Sequence, residues 1–190
     1  SVPDHKCISP KQLTLTIATR NNGFGNGLWL QIPRLKNPLP LFVVFRALGV
    51  ISDKDICKKI ILDTDNEDNE LLMRNIQGSI VESNSTLTQE CAMKQIISNI
   101  MFTTHAGIDK ETSIKLKKNF AEEVLKNDLF PHCRTVTQKI YFLGYMAKCL
   151  LKCSLGIEQT SDRDSFVNKR VDLTGILLNN LFRNYFNKMV

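Results

Sequence analysis

The sequence predicts an α+β fold, with an N-terminal β-hairpin or small sheet packed on a bundle of about six helices. Three observations carry this. Two short runs of β-formers flank a glycine–asparagine turn near the start, apolar residues recur at helical spacing from Ser52 onward, and no repeat or low-complexity linker interrupts the 190 residues. Residues 1–45 read as mainly β and 46–190 as mainly helical, together one domain.

Leu13-Thr14-Leu15-Thr16-Ile17 is the first strand and Leu28-Trp29-Leu30-Gln31-Ile32 the second, with the turn cluster Asn21 to Gly27 between them. Pro33, Pro38 and Pro40 then break the chain. The apolar run Leu41 to Phe45 fits a buried strand or the start of a buried helix equally well. Ser52 stands as an N-cap before Asp53 and Asp55, whose charge suits a helix N-terminus. A short helix is predicted over Glu70 to Gln77. Another spans Glu90 to Met101, where Ala92, Met93, Ile96, Ile97, Ile100 and Met101 form one stripe. Asp109 is read as the cap of a helix with Leu116, Phe120, Ala121 and Val124 on one side and Lys115, Lys117 and Lys118 on the other, ended by Pro131. Gln138 to Leu155 is apolar nearly all round and reads as the central buried helix. Leu173 to Met189 sets Leu178, Leu181, Phe182, Tyr185, Phe186 and Met189 along one face of the last helix.

Composition is that of a globular chain, 43% hydrophobic and 23% charged, and 190 residues are long enough to bury roughly 70% of the unfolded surface. No apolar run reaches membrane-spanning length, and Ser1 to Lys6 lacks the apolar core of a signal peptide. The six cysteines form no CxxC pair and are read as thiols of a reducing compartment. Cys149 and Cys153 share a helix face, but no second Cys/His pair stands at ligand spacing, so no metal is expected. The net charge of +6 is unevenly spread. Residues 1–61 carry +6, 62–130 carry −5, 131–161 carry +3 and 162–190 carry +2. If the two basic ends meet, they form a surface for a polyanion; ordinary solvated faces account for the charge equally well.

Most chemical motifs fail in context. Gly23 to Gly27 leads into a strand and not into a helix N-terminus, so it reads as a hairpin tip and not a phosphate loop. Asp63 to Glu70 lacks the glycine and the final glutamate of a calcium loop, having Asp68 and Arg74 instead. No nucleophile–base arrangement is present, and His132, after Pro131 at a helix end, reads as structural. The unusual segment is Asp162 to Gly175. There Asn168, Lys169 and Arg170 offer donors for phosphates or base edges and Asp164 an acceptor, while a self-satisfied loop of acid–base pairs remains an equal alternative.

This segment, Asp162-Arg163-Asp164-Ser165-Phe166-Val167-Asn168-Lys169-Arg170-Val171-Asp172-Leu173-Thr174-Gly175, resembles the D-R-D-H-x-G-N-K-R-L-D-L-A-G stretch of the second-largest subunit of multisubunit RNA polymerases, in its eukaryotic form. Ser165 replaces the family histidine and Val167 the family glycine. Three further stretches match in order: Phe45-Arg46-Ala47-Leu48-Gly49-Val50 with F-R-A-L-G-I, Leu129-Phe130-Pro131-His132 with F-L-P-H, and Phe142-Leu143-Gly144-Tyr145-Met146 with F-L-G-Y-M. Arg46, Gly49, Pro131, Gly144 and Gly175 are thereby marked as structural positions.

The resemblance implies the lobe domain of such a subunit, a wall of the DNA cleft, cut from a longer polypeptide. It implies no catalytic centre or cofactor in this stretch, the Mg2+ carboxylates of the parent nucleotidyltransferase lying mainly in its largest subunit. Partners would be downstream or non-template DNA facing Asp164 and Lys169, the other polymerase subunits, and an initiation factor of the TFIIF type. No membrane is involved, and the location would be intracellular: the nucleus for a cellular enzyme, the infected host cell or the virion for a divergent copy from a large DNA virus. The other reading is a free-standing helical adaptor that binds proteins and no nucleic acid. Native mass separates them. A polypeptide far above 21.6 kDa that co-purifies with other large subunits is expected, and a stable native 21.6 kDa protein contradicts the polymerase reading.

Overall fold

The computed structural model describes residues 12–62, 68–102, 110–169 and 171–189, and the chain divides into two compact units, Ser1–Glu158 and Gln159–Val190. In the first unit, β1 (Thr14–Asn21) and β2 (Asn26–Gln31) form the predicted antiparallel hairpin, with Leu15 opposite Leu30 and Ile17 opposite Leu28. A two-residue strand, β3 (Leu39–Pro40), pairs with β2 to complete a three-stranded sheet. Its proline sits on an edge strand, where the missing N–H costs no ladder bond.

The apolar run after Pro40 is helical: α1 (Leu41–Ala47) has every residue buried. A helix that is apolar all round belongs in a core. It is followed by α2 (Asp53–Ile61), α3 (Asp68–Glu82), α4 (Gln89–Asn99), α5 (Lys110–Glu123) continued by a π-helical turn (Val124–Asp128), and α6 (Val136–Ser154). The second unit holds α7 (Thr174–Met189). The described residues thus give an α+β arrangement with seven α-helices, one more than expected because α1 is helix.

Helix ends follow local chemistry. Thr88 caps α4 by accepting from the Cys91 N–H, and Thr135 with Gln138 forms a capping box on α6. Ser52 stands at the N-cap of α2 but its side chain caps nothing. The ends of α1 and α6 turn on glycines with positive φ. Gly49 (φ 101°) and Val50 donate to Arg46 O and Phe45 O, and Gly156 (φ 71°) and Ile157 donate to Cys153 O and Lys152 O, which is the Schellman arrangement.

Arg46 ties the unit together. Its guanidinium is 1% exposed and donates to Ser83 O at 2.7 Å, Thr86 O at 2.8 Å and Ile51 O at 3.4 Å, with an ion pair to Asp53. One side chain thus holds the end of α1, the start of α2 and the α3–α4 turn. Thr86 is buried in this arrangement.

Two glycines permit close packing. A Cβ on Gly144 would stand 2.2 Å from Lys59 O, so α6 crosses α2 with backbone nearly touching side. A Cβ on Gly78 would stand 2.7 Å from Gly25, and so the hairpin tip seats on α3. Asn22 Nδ2 donates to Gly78 O and the Leu28 N–H to Ser79 Oγ, both at 2.9 Å. The tip is therefore docked. Glu82 of α3 fills the space where Gly27 lacks a side chain. Its carboxyl is pushed above the usual range by burial, against a hydrogen bond from Trp29, and Oε2 has no partner among the described residues.

The helix faces differ from the sequence reading in three places. Leu116 of α5 is exposed while Phe120, Ala121 and Val124 pack inward. Met101 lies beyond the end of α4 and is exposed. Buried positions on α6 fall on one face, Ile140, Leu143, Gly144, Ala147 and Leu151, whereas Tyr141 and Tyr145 face solvent. Aromatic residues on a helix's outer side made it look apolar all round.

Replacing Arg46 by Met should cost about 3–5 kcal/mol, because Asp53 and three carbonyls lose their donor; a loss below about 1 kcal/mol in urea unfolding would contradict this. Glu82 gives a pH-dependent counterpart. A raised folded pKa contributes stability below the unfolded glutamate value of about 4.3 that disappears as pH climbs through the folded value. The stability of the native sequence relative to Glu82→Gln should therefore fall as pH rises from about 4 towards neutrality, and a pH-independent difference would refute the assignment.

Candidate nucleic-acid interface

The sequence placed its interface residues in Asp162 to Arg170, within the second unit. The loop is a series of side-chain-capped turns. Asp162 Oδ1 accepts from the Asp164 N–H at 2.9 Å, Ser165 Oγ from the Val167 N–H at 3.4 Å, and Ser165 O from the N–H groups of Asn168 and Lys169. Val167 does not have positive φ, so the loop accommodates valine at the position of the family glycine without left-handed backbone.

Asp164 and Lys169 face each other across this loop, with Lys169 Nζ 3.6 Å from Asp164 Oδ1. Both are exposed, and a pair of this kind is worth at most about 1 kcal/mol, so a phosphate can take the ammonium at little cost. Asn168 is differently occupied. Its Nδ2 donates to Asp162 O at 2.7 Å, which holds the loop closed and leaves that amide hydrogen unavailable to a base edge. Arg170 lies outside the described residues. Phe166 and Val167 project at 88% and 93% exposure, two apolar side chains that the charge pattern did not single out.

The structural positions fall elsewhere. Arg46, Gly49 and Gly144 have the roles given above. Pro131 is exposed in a turn that follows Phe130, whose φ is 49°. That turn stacks rings: Phe130 and His132 both meet Phe142 edge-on, at 4.9 and 4.7 Å between centroids. His132 is thus a packing residue, and the second and third motifs, Leu129-Phe130-Pro131-His132 and Phe142 to Met146, touch one another. Gly175 sits in the first turn of α7 with nothing within 4 Å of a built Cβ.

Helices of the first and third charge segments do pack together in the first unit, α2 on α6, and both carry lysines. Several of these cations are already engaged. Lys148 Nζ donates to Ile61 O at 2.8 Å, capping α2; Lys59 Nζ donates to Tyr141 Oη at 2.7 Å and lies over its ring; Lys152 pairs with Glu158. Lys139, 4% exposed, donates to Leu125 O and Lys126 O at the π-helical turn, and burial holds its ammonium below the usual lysine range. Sequence reasoning missed these lysine caps, since nothing in the spacing links residues 87 or 14 positions apart.

Cys57 is buried, and burial, reinforced by Asp53, pushes its thiol up to about 11. Among the described residues no group of three or more His, Cys, Asp or Glu is placed to hold a metal ion, and no helix is long and apolar enough to cross a membrane. Residues 63–67 of the acidic loop and the cap residue Asp109 lie outside the described residues.

Comparison with known proteins supplies the class. The family described as "RNA polymerase Rpb2, domain 2" matches residues 11–172, and the chain belongs to that family. It is 32% identical over 188 residues to a "DNA-directed RNA polymerase II subunit RPB2" of Schizosaccharomyces pombe, covering 97% of this chain and 15% of the relative. To the same-named subunit of Encephalitozoon cuniculi it is 34% identical, covering 100% and 16%. To "DNA-directed RNA polymerase subunit 2" of Acanthamoeba polyphaga mimivirus it is 31% identical, covering 100% and 17%. The chain spans about a sixth of the length of these relatives.

Proposed function

We propose that this chain is the lobe of the second-largest subunit of a DNA-directed RNA polymerase, a wall of the DNA cleft that steers nucleic acid and carries no catalytic centre of its own. Membership of the domain 2 family carries the reading, supported by the four ordered motifs. Three of those motifs are structural: they build the Arg46 junction, the α2–α6 crossing and the ring stack of the first unit. The fourth is an exposed loop whose Asp164–Lys169 ion pair is cheap to break, as a phosphate contact requires.

On this reading Lys169 and Arg170 bind backbone phosphates of downstream or non-template DNA. Asp164 holds the lysine in place between encounters, and Asn168 keeps the loop in shape. Nucleotidyl transfer belongs to the assembled enzyme, with Mg2+ held by carboxylates of another subunit. The remaining surface of the first unit is offered to the other polymerase subunits and to an initiation factor of the TFIIF type. Such an enzyme works inside the cell, in the nucleus or, for a viral copy, in the infected host or virion.

The test is the double variant Lys169→Ala, Arg170→Ala in the whole polymerase. Promoter open complexes should dissociate faster, and the slope of log lifetime against log salt should flatten by about one or two, one per lost phosphate contact. Open-complex lifetimes that match the unaltered enzyme at every salt concentration would overturn the DNA-contact assignment.

A further inference from the structure

The two edges of the three-stranded sheet are built differently. β3 closes one edge with two residues, one of them a proline, a blunt end that takes no further strand. β1 forms the other edge over eight residues, Thr14–Asn21. Thr14 to Thr19 contain no proline, glycine or charge, the usual guards of an edge; the first cation is Arg20, and the ladder to β2 shifts register only after Ile17.

Which backbone groups β1 offers follows from its neighbour. In an antiparallel ladder, successive residues alternate between facing the partner strand and facing away from it. The Leu28 N–H is spent on Ser79 Oγ and not on β1, and Trp29 stands opposite Pro40, which has no N–H to give. Trp29 therefore turns its backbone groups to β1, where Thr16 Oγ1 also donates to its carbonyl, and Leu28 and Leu30 turn theirs away. Through the register of Thr16 with Trp29 and Ile17 with Leu28, Thr14 and Thr16 bond with β2, while Leu15 and Ile17 direct N–H and C=O to the open side. Among the described residues no strand or other backbone group takes these up. The side chains agree. Leu13, Leu15 and Ile17 are only half-buried against the core, whereas Leu28 and Leu30 across the ladder are fully buried. The core thus ends along β1 with apolar side chains half in water.

Charge narrows what lies there. No Asp or Glu occurs between Asp4 and Asp53. Arg34 and Arg46 are paired with Asp128 and Asp53, and Lys11 and Arg20 bracket the strand in sequence. A second copy of this chain, paired antiparallel through Leu15 and Ile17, would bring Arg20 of each strand near Lys11 of the other, like charges at both ends. An acidic segment meets a cation at either end instead.

We propose that the outer edge of β1 is a docking site for an extended acidic segment of another polypeptide of the polymerase assembly, which joins the sheet as a fourth strand through the backbone of Leu15 and Ile17. Its residues alternate: every second side chain covers Leu13, Leu15 and Ile17, and those between stand beside Thr14 and Thr16. This rests on the reading of the chain as part of a polymerase subunit, and adds to it the place and chemistry of one partner.

The test is photo-crosslinking in the purified, assembled polymerase with p-benzoylphenylalanine in place of Thr16, whose side chain is exposed beside the added strand. Leu15→Pro, introduced in a second variant, removes an outward N–H and leaves Thr14 and Thr16 to bond with β2; Leu15→Ala controls for the lost side chain. Mass spectrometry should place the linked peptide in another polypeptide, in a segment of alternating apolar residues that carries Asp or Glu. Leu15→Pro should lower the product about tenfold and Leu15→Ala less than about threefold. A link within the 190 residues, elsewhere in the same polypeptide or to a second copy would overturn the assignment, as would no product or a product that Leu15→Pro leaves unchanged. If Leu15→Pro prevents assembly, the exposed Arg20→Glu decides: the product should fall about threefold, and an unchanged yield counts against the acidic partner. Failure of the unaltered polypeptide to assemble with any polymerase subunit would instead sink the reading beneath it.

Discussion

A buried guanidinium carries a planar array of donors and a charge that water no longer stabilises, so the surrounding backbone must supply acceptors in fixed directions. Arg46 imposes that demand on the first unit. It draws in the carbonyls of Ser83 and Thr86 from the α3–α4 turn, the carbonyl of Ile51 from the α1–α2 turn and the carboxylate of Asp53. Gly49 supplies the left-handed turn that lets the chain double back within reach. An apolar side chain of similar volume would fill the space but would leave the two turns without a common partner. This one group thus ties the α1–α2 turn, the start of α2 and the α3–α4 turn together.

Much of this was legible in the sequence because it is local. The hairpin came from alternation and a glycine-rich turn, and the helices from apolar spacing, whereas the caps at Thr88 and Thr135 emerged only from the structure. The run Leu41 to Phe45 was undecidable because a helix buried on all sides and a buried strand have the same pattern. Leu116, Tyr141 and Tyr145 were misplaced for a related reason: hydropathy ranks a side chain but does not say which neighbour covers it. The lysine caps and the glycine-to-backbone crossings are tertiary facts, fixed by elements far apart in the chain. The Asp162–Arg170 segment stood out by composition, yet composition did not show that Asn168 closes the loop while Lys169 and Asp164 stay at the surface.

The charge of the chain takes on a different weight once partners are known. Lys139, Lys148 and Arg46 spend their charge on carbonyls at helix ends and turns, stabilising backbone groups that would otherwise lack donors. These cations still count in the net +6 but are not free to reach out to a polyanion. What remains at the surface includes Lys54 and Lys58 on α2 and Lys169 in the loop.

The thiol of Cys57 sits one helical turn after Asp53, the carboxylate that Arg46 holds. With its pKa near 11, only roughly one molecule in 10⁴ carries the thiolate at neutral pH. Peroxides and electrophiles attack the thiolate, so this sulfur stands at the unreactive end of the oxidation ladder. Burial is the main reason this sulfur stays protonated, and the carboxylate that completes the arginine's shell reinforces it. Cys91 on α4 is by contrast exposed, so an oxidant reaches that thiol more readily than the one at the junction of α1, α2 and the α3–α4 turn.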